Sequence, residues 1–169
     1  MSEAQWVSKY RHYPFHWRPA WTVAHNDEIK DRETAMSTSF QELDHFIRDN
    51  AAKQVARKKL SMGPLKVYVR LTTRFMGSTV GRTLDIADVE VDDRHKGQGV
   101  FRQFLDHAER VSSQHGLSVF VQSIISPLLK DALKRRGYEF TQGFEDCAWM
   151  SADRLRQKYE AAEESSPSP

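Results

Sequence analysis

The residues best placed to do chemistry sit in one charged turn, Val89-Glu90-Val91-Asp92-Asp93-Arg94-His95-Lys96-Gly97-Gln98-Gly99-Val100-Phe101. An apolar strand pattern ends there. Two glycines then open an amphipathic stretch whose apolar positions include Val100, Phe101, Phe104, Leu105 and Ala108. Backbone N–H groups at a helix start have no intrahelical partner, and glycines let an anion approach them closely. Arg94 and Lys96 add formal positive charge, so a pyrophosphate suits the turn. A Walker A loop would need Gly-Lys-Ser/Thr, but Val100 and Phe101 follow Gly99. A dinucleotide fingerprint would need a small residue where Arg102 stands.

What remains is Arg-x-x-Gly-x-Gly, as Arg94, Gly97 and Gly99, directly after a Val-x-Val strand end. An almost continuously apolar run follows at Leu117–Ile124, then a helical stretch, then the Gly137-Tyr138 step toward Phe140. In this order the segment from Thr83 to Phe140 resembles the GNAT N-acyltransferases, and the Trp149-Met150 end does so more loosely. The resemblance implies an α/β fold, a mixed central sheet with a splayed pair of parallel strands flanked by helices. It implies acetyl-CoA as co-substrate and a primary amine of a small molecule or protein as acceptor. The diphosphate would rest on Arg94, His95, Lys96, Gly97, Gln98, Gly99 and Val100. The pantetheine arm would pair with the backbone of Val89, Glu90 and Val91 as an added strand. Ser126 stands where the family often has an asparagine near the coenzyme.

Direct transfer to an amine requires loss of the ammonium proton, stabilisation of the oxyanion and departure of the thiolate. The family's frequent carboxylate base falls on Asp85. Asp88 and Glu90 are rivals, because a β-bulge would change which face each occupies. The competing reading is that these acids are solvated or pair with Arg70 or Arg74. The family's acidic tyrosine position holds Leu133, which has no proton to donate, and Tyr138 is the nearest phenol in sequence. A thiol of pKa about 8.5 is a fair leaving group without an acid. The same departure admits a GNAT fold that binds acyl-CoA without turnover.

Ser39 and Glu42 form a capping-box pattern. Phe40, Leu43, Phe46, Ile47, Ala51 and Val55 predict one helix running to about Leu60, stopped by Gly63-Pro64. Leu65–Phe75 alternates as a strand, 76–81 is a turn, and Thr83–Val91 is the strand leading into the loop. A helix is expected from Gly97 to Gln114, ended by Gly116, and a basic helix after Pro127 ended by Gly137. Two last strands are expected at Tyr138–Thr141 and Cys147–Met150. Only one strand is legible between the early helix and the loop strand, whereas the family has two there.

The length of 169 residues fits one domain, expected over 1–158, with the coenzyme-binding core at 83–140 and a disordered acidic, Ser-Pro tail at 159–169. Residues 1–36 hold Trp6, Trp17 and Trp21 among other aromatics, an arm expected to wrap the core or to line a substrate groove. His12 and His16 lack a third ligand and are broken by Pro14, so no metal is expected. A net charge of +2 gives no global reason for a nucleic-acid partner. The basic runs Arg57-Lys58-Lys59 and Lys134-Arg135-Arg136, with Lys53, would favour a nucleic-acid amine only if their helices shared a face. One cysteine, Cys147, excludes an intrachain disulfide and fits the cytoplasm. No run is long and apolar enough for a membrane span, and no secretory signal is expected. The family often forms homodimers, but nothing here specifies an interface.

Overall fold

The computed structural model describes residues 40–141 and 143–164. The aromatic arm, the His12/His16 pair and Ser39 lie outside them. The elements are α1 (Gln41–Asp49), β1 (Ala56–Met62), β2 (Leu65–Met76), β3 (Thr79–Val91), α2 (Val100–Gln114), β4 (Ser118–Val121), α3 (Pro127–Arg136), β5 (Glu139–Thr141), β6 (Phe144–Met150) and α4 (Ala152–Glu164). A short 3-10 turn at Asp93–His95 precedes α2.

The six strands form one mixed sheet in the order β1-β2-β3-β4-β6-β5, in which only β3 and β4 run parallel. The alternation in β2 does what it foretells. Leu65, Val67, Val69 and Leu71 are fully buried, with Leu84 and Ile86 buried beside them on β3. Leu43, Phe46 and Ile47 of α1 and Phe104, Leu105, Ala108 and Val111 of α2 are buried as well. Phe40 meets Phe104 edge-on at 5.9 Å, and His107 pairs with Asp44 at 2.6 Å, tying the two helices together.

The first correction concerns residues 50–62. The expected helix to Leu60 ends at Asp49, and Ala56–Met62 forms an antiparallel strand on β2. Asn50 leaves the helix and its side-chain amide donates back to the Phe46 carbonyl. Beyond it, Ala51 to Val55 are exposed, so continued helix would have buried nothing there. As a strand, Leu60 and Met62 enter the core while Arg57, Lys59 and Ser61 face solvent. Gly63-Pro64 is therefore a hairpin turn, with Gly63 at φ 58°, and this strand is the one missing from the sequence reading. The second correction concerns the tail: residues 159–164 belong to α4, which no sequence signal had assigned, and 165–169 lie outside the described residues. Phe40 is the N-cap of α1 and makes no side-chain cap, and Ser39 of the expected capping box lies outside the described residues.

One registered row crosses all six strands: Arg57, Arg70, Asp85, Phe120, Trp149 and Glu139. Directly opposed residues share a face. This row therefore lies on the side of the sheet opposite to Val69, Leu84 and Ile86.

Candidate active site

The parallel pairing of β3 and β4 runs from Thr83–Ser118 to Ile86–Val121. The Gln122 N–H donates to the Ile86 carbonyl at 2.9 Å, and there the strands part. Ser123 has φ 57°, unusual for a residue with a side chain, and turns the chain away from β3. β3 meanwhile continues to Val91, five residues beyond its last partner on β4. Among the described residues no strand pairs with its backbone on that side, the geometry that strand addition requires.

The register of β2 with β3 shifts at the same place. Tyr68 opposes Asp88 and Val69 opposes Ile86, so Ala87 is an extra, bulged residue. Without it, Asp85 and Asp88 would point to opposite faces. With it, Asp85, Asp88 and Glu90 share the face that carries Arg70, Tyr68 and Lys66. The three acids have different surroundings. Asp85 is fully buried and accepts from Thr83 Oγ1 at 2.7 Å, from Arg74 at 2.7 and 2.8 Å, and lies 3.3 Å from Arg70. The ion-pair reading of the sequence thus describes what Asp85 does in the fold. Asp88 is exposed, and Glu90 lies 3.8 Å from Lys66.

Beyond β3, Asp92 caps the 3-10 turn by accepting from the Arg94 N–H at 3.0 Å. Gln98 Nε2 donates to the Arg94 carbonyl at 2.7 Å, closing the loop on itself. Gly97 and Gly99 have φ 77° and 78°, a conformation that other residues rarely adopt. Space beside Gly97 is open, and a Cβ added at Gly99 would come 3.2 Å from Arg102 Nη2. Lys96 donates to Asp93 at 2.6 Å, a contact that raises the lysine pKa and lowers that of the aspartate, both being exposed. His95 Nδ1 lies 3.6 Å from Asp92. The expected helix start at Gly97 moves to Val100, which places the free N–H groups of the first turn at Gly99 and just after it.

Two participants escaped the sequence reading. Arg102 brings a further guanidinium over the glycine loop; in the sequence that arginine speaks only against a dinucleotide fingerprint. Gln122, a polar residue directly after the apolar stretch Val119–Val121, accepts a hydrogen bond from Arg70 where the strands part. Between α2 and α3 lies a cleft of about 270 Å³, floored by Phe101, Leu105, Leu129 and Leu133 and rimmed by Arg102 and Arg135. Ser126, at the mouth of β4, is the N-cap of α3, its hydroxyl 3.5 Å from the Leu129 N–H.

Tyr138 is placed differently from the expectation. It is 5% exposed, and its hydroxyl donates to Glu109 Oε1 at 3.0 Å. Burial and the adjacent Glu109 charge push its pKa well up, the wrong direction for a proton donor. Glu109 itself is fully buried on α2 and receives Arg136, Lys158 at 2.6 Å and Tyr159 at 3.3 Å besides. Burial alone would raise its pKa, but hydrogen bonds from Arg136 and Lys158 outweigh that and lower it. Leu133, at the family's tyrosine position, is fully buried. The two basic runs do not share helices: Arg57-Lys58-Lys59 is strand, and Arg136 is absorbed by Glu109 and Asp106. Among the described residues no helix is long and apolar enough to cross a membrane, and no group of three His, Cys, Asp or Glu is placed to hold a metal.

No family model matches the chain, and no curated protein matches it. Solved structures do. AtaT complexed with acetyl-methionyl-tRNAfMet matches with a TM-score of 0.50 and 12% identity, covering 68% of this chain and 81% of that one. The AtaT Y144F mutant toxin bound to the C-terminus of the antitoxin AtaR matches with 0.50 and 14%, covering 68% and 79%. The KacTA–DNA complex matches with 0.49 and 15%, covering 72% and 86%. The fold is that of the GNAT acetyltransferases, a mixed sheet with a splayed parallel pair.

Proposed function

We propose that this protein is an acetyl-CoA-dependent N-acetyltransferase that acts on a primary amine by direct attack. One coincidence carries the reading: the strand that outruns its parallel partner at Ile86 also ends in the two-glycine loop. A thioester carrier needs both features, a free backbone edge for its pantetheine and polarised N–H groups for its diphosphate. Val89, Glu90 and Val91 would pair with the pantetheine. Arg94, His95, Lys96, Gly97, Gln98, Gly99 and Val100 would hold the diphosphate, with Arg102 beside them and Ser126 at the mouth of β4. The cleft between α2 and α3 suits the adenosine end, with an apolar floor and arginines at its rim.

For the base we assign Asp88. It is exposed on the acceptor face, whereas the oxygens of Asp85 are already engaged by Thr83 and two arginines. Asp88 accepts the ammonium proton, directly or through one water. The amine nitrogen then bonds to the acetyl carbon, the C–S bond breaks, the nitrogen releases its second proton to solvent, and the thiolate takes a proton from solvent, since neither Leu133 nor Tyr138 offers one. The acetyl-methionyl-tRNA in the AtaT complex is consistent with an amine acceptor. A cytoplasmic setting is in keeping with the lone Cys147.

Release of free CoA across a broad amine panel, beside calorimetric titration with acetyl-CoA, tests the proposal. Binding without turnover of any amine would favour the second reading, a non-catalytic acyl-CoA-binding regulator, which the buried Leu133 recommends. No binding would end both.

A further inference from the structure

The face of the sheet that carries Asp88 holds an excess of cations. Arg57 stands directly opposite Arg70 on the neighbouring strand, and Arg74 lies two turns of the pleat further along β2. Like charges directly opposed across a sheet destabilise it. One carboxylate, Asp85, answers both Arg70 and Arg74, while no partner is recorded for Arg57 among the described residues. Arg74 is fully committed: its fork grips Asp85 and its plane stacks on Phe120 at 4.6 Å. Arg70 is not. Its Nη2 reaches Asp85 and Gln122, but its Nε is buried with no hydrogen-bond acceptor. A buried charged donor without an acceptor is costly and calls for an explanation. Its place supplies one, because Gln122 pins the guanidinium to the point where β3 and β4 part.

We infer that Arg70, seconded by Arg57, binds an oxyanion of the acceptor, so that the acceptor is an amine bearing a carboxylate or phosphate group. This rests on the acetyltransferase reading and narrows its substrate class. The anion meets the open part of the Arg70 guanidinium, whose side chain is 30% exposed, and is drawn in by the charge at Arg57, which leaves the amine on the side of Asp88, next along the same face. A neutral analogue leaves that guanidinium without an anion. It is therefore bound and acetylated more slowly, by about ten- to a hundredfold, the usual worth of a charged hydrogen bond.

The test has two arms. In the first, arginine Nε–Hε resonances of the CoA-saturated wild-type protein are followed by NMR, with Arg70 assigned from Arg70→Lys. Glycine, glycinamide, O-phosphoethanolamine and ethanolamine are titrated in turn. A shift of the Arg70 signal with the acidic member of either pair, and not with its neutral partner, is expected; which pair responds tells carboxylate from phosphate. No shift with either acid, or an equal shift with the neutral partner, overturns the inference. This arm needs no turnover. In the second arm, kcat/KM for the acidic and neutral members is compared in wild type, Arg70→Lys and Arg57→Gln. Arg57 is exposed at the sheet edge, so its variant keeps the proposal open to test should Arg70→Lys fold poorly. Both should lose the acidic preference while acetyl-CoA affinity is retained. Equal losses on acidic and neutral amines would overturn the anion site but leave the acetyltransferase standing. Failure to bind acetyl-CoA would instead overturn the acetyltransferase.

Discussion

The Arg70 guanidinium donates to the Gln122 side-chain oxygen across the intervening strand, at the vertex where β3 and β4 separate. Arg70 comes from β2, and Gln122 follows β4, so the bond spans the face of β3 that carries Asp85. The vertex is thereby built from three strands, and its polar side is set by the same bulge that aligns Asp85 with Asp88.

Gly99→Glu is expected to abolish acetyl-CoA binding by calorimetry. Gly99 has φ 78°, which costs a side-chain residue about 1–2 kcal/mol, and the new carboxylate would sit beside Arg102 where a phosphate should go. Gly97→Ala carries the same backbone strain but meets nothing within 4 Å, so it should weaken binding without removing it. Normal binding by Gly99→Glu would show that the coenzyme uses another site.

Asp88→Asn and Asp85→Asn should separate chemistry from stability. Asp88 is exposed, so its variant should melt like wild type while kcat falls by about 10²–10⁴, the usual contribution of a general base. Asp85 is a buried anion between two arginines, and its loss should cost about 3–5 kcal/mol in urea unfolding. An unstable Asp88→Asn, or one with full kcat, would remove Asp88 from the mechanism.

Acid should loosen the α2–α4 contact through Glu109. Its folded-state pKa is lowered from 4.5, with burial opposing and the hydrogen bonds of Arg136 and Lys158 prevailing. A depressed carboxyl stabilises the fold above its unfolded pKa, and that contribution disappears as the pH falls through the lower, folded value. Stability measured from pH 6 downward, roughly the span over which an unfolded carboxyl titrates, should therefore decline in wild type. In Glu109→Gln the same decline should be shallower from a lower starting point. Parallel curves would rule this out.

Tyr138→Phe should leave kcat unchanged and cost roughly 1–2 kcal/mol, the price of one hydrogen bond to a buried charge. A large fall in kcat with unchanged stability would return Tyr138 to the role of acid.

Much of the site was legible along the chain because its parts are local. The strand–turn–helix order, the glycines at 97 and 99 and the basic residues among them are neighbours in sequence. On the proposed reading they would hold a phosphate through backbone geometry alone. The β2 alternation and the Gly137 stop of α3 are equally local, and both appear where expected. The residues around 56–62 show where such reading fails. Ala56, Leu60 and Met62 fit a strand, but Ala51, Val55 and the basic run after them fit a helix as well. Only pairing with β2, through the Gly63 turn, separates the two. The roles of the acids depended still more on the fold. Whether Asp85 or Asp88 is free follows from a bulge at Ala87 and from two arginines, Arg70 and Arg74, that lie on the neighbouring strand. Tyr138 was captured by Glu109, 29 residues earlier. Register, bulges and buried ion pairs are relations between distant segments, settled by packing free energy rather than by local propensity, so only the assembled sheet and helices decide them.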